Sequence, residues 1–169
     1  MSEYFELTFF LKSGVESQDS VQRKVLSFLN LKEGRNILQS HHLSAFSNRE
    51  VLFDVFEESD FYEFRICIAD FFFVKSKYDK MLQQLLDIVD GCFNISDSIL
   101  FATGVYELTY YYTSNVRKIS EFNDTILKNF PFVFLKSRNL CDNTNLYNYS
   151  SVFYLINTGK DVQDVFSEE

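Results

Sequence analysis

Tyr4-Phe5-Glu6-Leu7-Thr8-Phe9-Phe10-Leu11-Lys12 is a strand written in its side chains. Phe5, Leu7, Phe9 and Leu11 fall on one side of an extended backbone, and Tyr4, Glu6, Thr8 and Lys12 on the other. That is the period of two that a half-buried strand requires. The same aromatic–Glu–apolar order returns in Phe61-Tyr62-Glu63-Phe64 and in Val105-Tyr106-Glu107-Leu108. With 20 Phe, 10 Tyr and no Trp, the composition favours sheet, because aromatic rings pack well on a pleated surface. Glu6, Glu63 and Glu107 are expected to point outward, away from the core rows.

Ser13-Gly14 ends the first strand, and Asp19 or Ser20 caps a helix with Val21, Val25, Phe28 and Leu29 on one face, stopped by Gly34. Residues 35 to 49 read as a connection. Val51–Phe56 and Phe61–Val74 form an antiparallel hairpin around Glu57-Glu58-Ser59-Asp60, with Tyr62, Phe64, Ile66 and Ile68 inward. Tyr78–Phe93 carries Met81, Leu82, Leu85, Leu86 and Val89 at helical spacing, and Gly91 marks its end. Ile99–Thr113 is extended and locally broken at Gly104. A third helix carries Ile119, Phe122, Ile126, Leu127 and Phe130 and stops at Pro131, the only proline. Phe132–Leu135 is a short apolar run, residues 138 to 150 are an Asn/Asp/Ser-rich loop, and Val152–Ile156 is a last strand. The expected fold is a single α+β domain over residues 1–169: a mainly antiparallel sheet with about three helices packed on one face.

The apolar fraction of 46% and charged fraction of 24% are those of a globular protein, and the chain holds no run of about 20 apolar residues that a membrane span needs. Met1-Ser2-Glu3 does not begin a secretory signal. Cys67, Cys92 and Cys141 are odd in number and widely spaced, as reduced thiols are, so the expected location is the cytoplasm. The formal charge is −8, from 24 acidic and 16 basic side chains. That balance disfavours direct binding to nucleic acid or to an anionic membrane and favours encounter with a basic protein, although solubility alone would also account for it.

No phosphate-binding glycine loop, nucleophile elbow, H-E-x-x-H or C-x-x-C motif is present, and no catalytic, cofactor-binding or metal-ligating residue is assigned. His41 and His42 are adjacent in a polar stretch and point in different directions, and Cys67 lies among isoleucines as a core thiol does. The densest acidic group is Asp54, Glu57, Glu58, Asp60 and Glu63. It lacks calcium-loop spacing, so it reads either as a solvated turn or as a contact for a basic partner. Tyr110, Tyr111 and Tyr112, with Tyr106, Tyr147, Tyr149 and Tyr154, form a second group whose make-up is that of binding hot spots.

Small size, acidity, abundant Phe, Tyr and Asn, and strands such as YFELTFFLK and VYELTYYYT give the chain a further likeness. It resembles the immunity proteins of bacterial contact-dependent inhibition and other polymorphic toxin systems. The resemblance implies a cytosolic, non-enzymatic α+β domain that binds a cognate toxin, a nuclease for instance, and occludes its active site. The binding residues expected on the grounds above are Asp54, Glu57, Glu58, Asp60 and Glu63, then Tyr110, Tyr111 and Tyr112. Phage-encoded inhibitors of host defence look similar. The alternatives are a small hydrolase or transferase with a carboxylate/His pocket, and a self-associating module using a tyrosine-bearing strand edge.

Overall fold

The computed structural model describes residues 4–29, 37–38, 49–55, 60–69, 73–74, 78–105, 115–116, 118–127, 129–138, 146–156 and 166–167. The YFELTFFLK strand, β1 (Tyr4–Lys12), lies inside an eight-stranded antiparallel sheet. Its companions are β2 (Ile37–Leu38), β3 (Arg49–Val55), β4 (Phe61–Ala69), β6 (Ile99–Val105), β7 (Phe132–Leu135), β8 (Tyr147–Tyr149) and β9 (Val152–Ile156). The spatial order is β2-β3-β4-β1-β6-β7-β9-β8. A separate short pair joins β5 (Phe73–Val74) in parallel to β10 (Phe166–Ser167). The fold is therefore α+β with a mainly antiparallel sheet, as the sequence predicts.

β1 pairs with β4 along its whole length, from Tyr4 opposite Ala69 to Lys12 opposite Phe61. On its other edge it pairs with β6, with an irregularity between Phe10 and Leu11. The inward row on β1 and β4 is the expected one: Phe5, Leu7, Phe9, Leu11, Tyr62, Phe64 and Ile66 are all buried. Helices α1 (Gln18–Leu29) and α2 (Tyr78–Phe93) cover this face with Val21, Val25, Leu26, Leu85, Val89 and Phe93. Phe9 stacks on Phe64 with ring centroids 4.6 Å apart and meets Phe93 edge-on at 6.1 Å. α2 has the bounds that its apolar spacing predicts. α1 starts earlier than expected, because the Ser17 hydroxyl accepts the Ser20 N–H at 3.2 Å and so caps the helix in place of Asp19 or Ser20.

The third helix is a correction. Among the described residues only α1 and α2 exceed one turn. Residues 119 to 121 form a 3₁₀ turn, and α3 (Asp124–Leu127) is a single α-turn. Asn123 separates them: its side-chain carbonyl accepts the Ile126 N–H at 3.2 Å and its backbone carbonyl accepts Leu127 N–H at 2.9 Å, starting a new helix where the old one would continue. The segment also packs on the opposite face from α1 and α2. Val116, Phe122, Leu127 and Phe130 bury there against Phe10, Phe61, Phe101, Val133 and Leu135. Strand β8 is likewise a correction, since it lies within the stretch read as loop.

Both internal glycines have work other than the breaks assigned to them. β6 runs unbroken through Gly104, where a Cβ would stand 2.7 Å from the Phe5 ring and 3.2 Å from Phe132 Cβ. α2 likewise continues past Gly91, where the Phe28 ring of α1 lies within 2.0 Å of the place a Cβ would occupy. Phe5 is fully buried and has nowhere to go, whereas Phe28 is 45% exposed and can swing aside. Gly104→Ala should therefore cost about 1–3 kcal/mol, whereas Gly91→Ala should cost nothing net or stabilise by up to about 1 kcal/mol through helix propensity. Urea denaturation of the two variants checks the contrast, and equal effects would contradict it.

Glu16 ties three elements into one corner at the end of β1. Its carboxylate accepts Ser20 Oγ at 2.5 Å and Ser96 Oγ at 2.7 Å, and pairs with Lys24 Nζ at 2.8 Å. Ser96 in turn accepts Lys136 Nζ through its backbone carbonyl at 2.9 Å. The hydrogen bonds from Lys24, Ser20 and Ser96 hold the Glu16 carboxyl down from 4.5 to about 2. A depressed carboxyl stabilises the fold fully above its unfolded value and loses that contribution as pH falls through its folded value. Acid titration of stability should therefore show a loss between pH 4.5 and about 2 that is missing in Glu16→Gln. That variant should be about 1–2 kcal/mol less stable at neutral pH.

Candidate functional site

The face of the sheet opposite α1 and α2 carries charge in its interior. The pairing sets Thr8 between Arg65 on β4 and Thr103 on β6. Arg65 Nη1 lies 3.6 Å from Glu6 Oε1, and Arg65 Nε lies 3.7 Å from Glu63 Oε1. Glu6 is 3% exposed and Glu63 4%, so the outward, solvated positions expected for these two glutamates are not what the fold provides. The outward face of the central strands is itself covered, and one guanidinium between two carboxylates makes that burial tolerable. Thr8 and Thr103 are fully buried beside them, and Thr103 Oγ1 has no hydrogen-bond partner among the described residues.

The acidic group predicted as a partner contact is divided by this arrangement. Asp54 sits directly opposite Glu63 in the β3–β4 register. Glu63 is withdrawn into the interior beside Arg65 rather than set out on the surface. Asp60 is exposed but engaged: its Oδ1 accepts the Ile119 N–H at 2.6 Å, and its backbone carbonyl accepts Ser13 N–H at 2.9 Å. It staples the 3₁₀ turn and the end of β1 to the start of β4. Glu57, Glu58, Tyr110, Tyr111 and Tyr112 lie outside the described residues, as do His41, His42 and Glu107.

A different acidic and aromatic surface emerges where α2 runs beside the β8–β9 hairpin. Asp79, Gln83, Asp87, Asp90 and Asn94 recur at spacings of three and four, which puts them along one side of the helix. Tyr149 donates its hydroxyl to Asp87 Oδ1. Ser151 donates both its hydroxyl and, at 3.1 Å, its N–H to Asp90 Oδ1. Asn94 Nδ2 donates to the Asp90 carbonyl at 2.8 Å. Ser150 turns the hairpin in the left-handed region, at φ 53°.

Electrostatics follow from these contacts. Burial pushes the Asp90 carboxyl up, but the Ser151 hydrogen bonds outweigh it and the net direction is down. The bond to Asp87 holds the Tyr149 hydroxyl above its ordinary value, so it stays a donor. Next to them Tyr147 stacks on Tyr154 with centroids 5.3 Å apart and planes 26° apart. Tyr147 is 61% exposed on the last strand of the sheet. The sequence groups these tyrosines but does not join them to α2. The available signal was the 3–4 spacing of Asp79, Asp87 and Asp90 on the polar side of a well-marked helix.

Among the described residues no group of three or more His, Cys, Asp and Glu side chains is arranged to hold a metal ion, and no helix is long and apolar enough to cross a membrane. Compared with protein families, with curated proteins and with solved structures, the chain has no match in any of the three.

The buried charges make a sharp prediction. Arg65→Met removes the guanidinium that lies beside both Glu6 and Glu63 in a buried site, and should cost about 3–5 kcal/mol. Combining it with Glu6→Leu and Glu63→Leu should recover most of that loss. Chemical denaturation checks both, and an Arg65→Met variant within about 1 kcal/mol of the parent would show that the ion cluster is not compensating anything.

Proposed function

We propose that this chain is a non-enzymatic binding protein that neutralises a basic toxin domain in the bacterial cytoplasm by occluding the toxin's working surface. The observation that carries the reading is the exposed Tyr147, stacked on Tyr154 at the sheet edge, on the same short strand as Tyr149, which bonds Asp87 of α2. Rigid tyrosines rimmed by carboxylates supply contact area at low entropic cost and acceptors for Arg and Lys. A net charge of −8 adds long-range attraction, which speeds encounter with a basic cleft such as that of a nuclease. The partner is a protein; neither a cofactor nor a metal ion enters the mechanism, and nucleic acid is met only through the toxin that acts on it.

The test is co-expression with the toxin domain encoded directly upstream. Growth should be restored, and the purified pair should form a complex whose association slows as salt rises. Glu57→Lys combined with Glu58→Lys should slow association further and blunt that salt dependence, with little change in the dissociation rate. Absence of both rescue and complex formation would refute the reading.

A further inference from the structure

We infer that the strip formed by Asp79, Gln83, Asp87 and Asp90 of α2 with Tyr147 and Tyr149 of β8 is the docking surface, and that its occupant is an arginine-bearing segment of a partner protein. The inference rests on the binding reading above but moves the contact from the predicted β3–β4 turn to the far edge of the sheet. That turn keeps Glu63 buried and Asp60 tied to Ile119, so two of its five acids are engaged inside the fold.

Three features of the strip select arginine. First, the carboxylates are held in place rather than free to wander. Asp87 and Asp90 accept from Tyr149 and Ser151 through Oδ1, and a carboxylate has about four lone-pair sites, so acceptor capacity for a guanidinium remains. Second, Tyr147 is backed by Tyr154, which fixes one ring face and leaves the side chain largely in solvent. Asp87 is bonded by Tyr149, two residues along the same strand, and a planar guanidinium can stack on a ring and bond a carboxylate within its reach, which an ammonium cannot match. Third, the strip is mainly acidic: Asp79, Asp87 and Asp90 alternate with the neutral Gln83 and Asn94, and Lys80 lies at its margin near the start of the helix. An arginine arriving toward Asp87 and Asp90 meets mainly complementary charge. A lipid surface or a nucleic acid would meet repulsion.

Titration of the full chain with hexa-arginine and with hexa-lysine, followed by amide NMR shifts at low salt, tests this. Hexa-arginine should move residues 83 to 94 and 147 to 154 and bind more tightly than hexa-lysine. Tyr147→Ala, at an exposed position that leaves folding intact, should weaken it about two- to fivefold. Asp87→Asn, which keeps an acceptor for Tyr149, should weaken it as well. Shifts spread evenly over the acidic surface, shifts collected at residues 54 to 63, or unchanged affinity in Tyr147→Ala would each overturn the assignment. The two readings separate cleanly. Toxin rescue that survives Tyr147→Ala at limiting expression leaves the function standing and removes this surface. Shifts confined to the strip without rescue by the parent chain leave the surface standing and remove the function.

Discussion

Strand β1 is hydrogen-bonded on both edges and covered on both faces, and the rest of the molecule is arranged around the consequences. One of its faces is an unbroken aromatic and aliphatic row against α1 and α2; the other places Glu6 and Thr8 beside Arg65, Glu63 and Thr103 in the interior. A strand has period two, so sliding β1 by one residue would exchange the two faces completely. Glu6 would then enter the layer of Phe9, Phe64 and Phe93, at a cost of several kcal/mol for an uncompensated charge. The buried ion cluster therefore acts on register more than on stability. It makes neighbouring pairings of β1 expensive, and the alignment from Tyr4–Ala69 to Lys12–Phe61 is the one in which Glu6 reaches the guanidinium that Glu63 meets from its own strand.

The width of the sheet sets the second constraint. A helix is about 10 Å across and strands lie about 4.8 Å apart, so each helix shields roughly two strands. The two helices longer than one turn among the described residues cannot cover one face of eight strands. α1 and α2 lie together, with the Phe28 ring seated against Gly91, and what they shield is the middle of the face. At the β8 margin the covering is done by tyrosines instead. Tyr149 and Tyr154 pack their rings against the core margin, and Tyr149 keeps its hydroxyl on Asp87. An edge finished in amphipathic rings is at once a way to end a sheet and a surface ready for a second protein, so the same shortage of helix produces both.

Much of this was legible in the residues. The alternation in YFELTFFLK and in Phe61–Ile68 marks the inward rows, and the spacing of Leu82, Leu85, Leu86 and Val89 marks α2, because each pattern is enforced by one dominant apolar face. What was not legible has a common cause: sequence periodicity says which side a residue occupies and not what lies on that side. Glu6 and Glu63 alternate as solvent-facing residues do, yet the face they point to is covered, and there Arg65 meets Glu63 from its own strand and Glu6 from across the pair. Ile119, Phe122, Ile126 and Leu127 are spaced as a helix, yet Asn123 offers its own backbone and side-chain carbonyls as a cap and restarts the chain. Tyr147–Tyr149 reads as loop because its Asn-rich surroundings outweigh three residues of strand, and its role depends on a helix some sixty residues away.

Burial also changes what the formal charge means. A partner feels the field of carboxylates in or near solvent, and Arg65 offsets one of the two buried charges of Glu6 and Glu63, so this pair adds less to the field than its formal charge. Glu16 is paired with Lys24 of α1 and bonded to Ser96, just past the C-terminal end of α2. Among the residues whose exposure the structure describes, the exposed acids that remain are Asp19, Asp60, Asp79, Asp87, Asp97 and Glu121. Only Asp79 and Asp87 share one side of a single rigid element, with the half-buried Asp90 completing their line. Rigidity matters because an exposed ion pair gains little when both side chains must first be ordered, and more when one side is ordered already. The hydrogen bonds from Tyr149 and Ser151 have done that ordering on α2, so at equal distance from a cation this helix offers more binding energy than an acidic turn does.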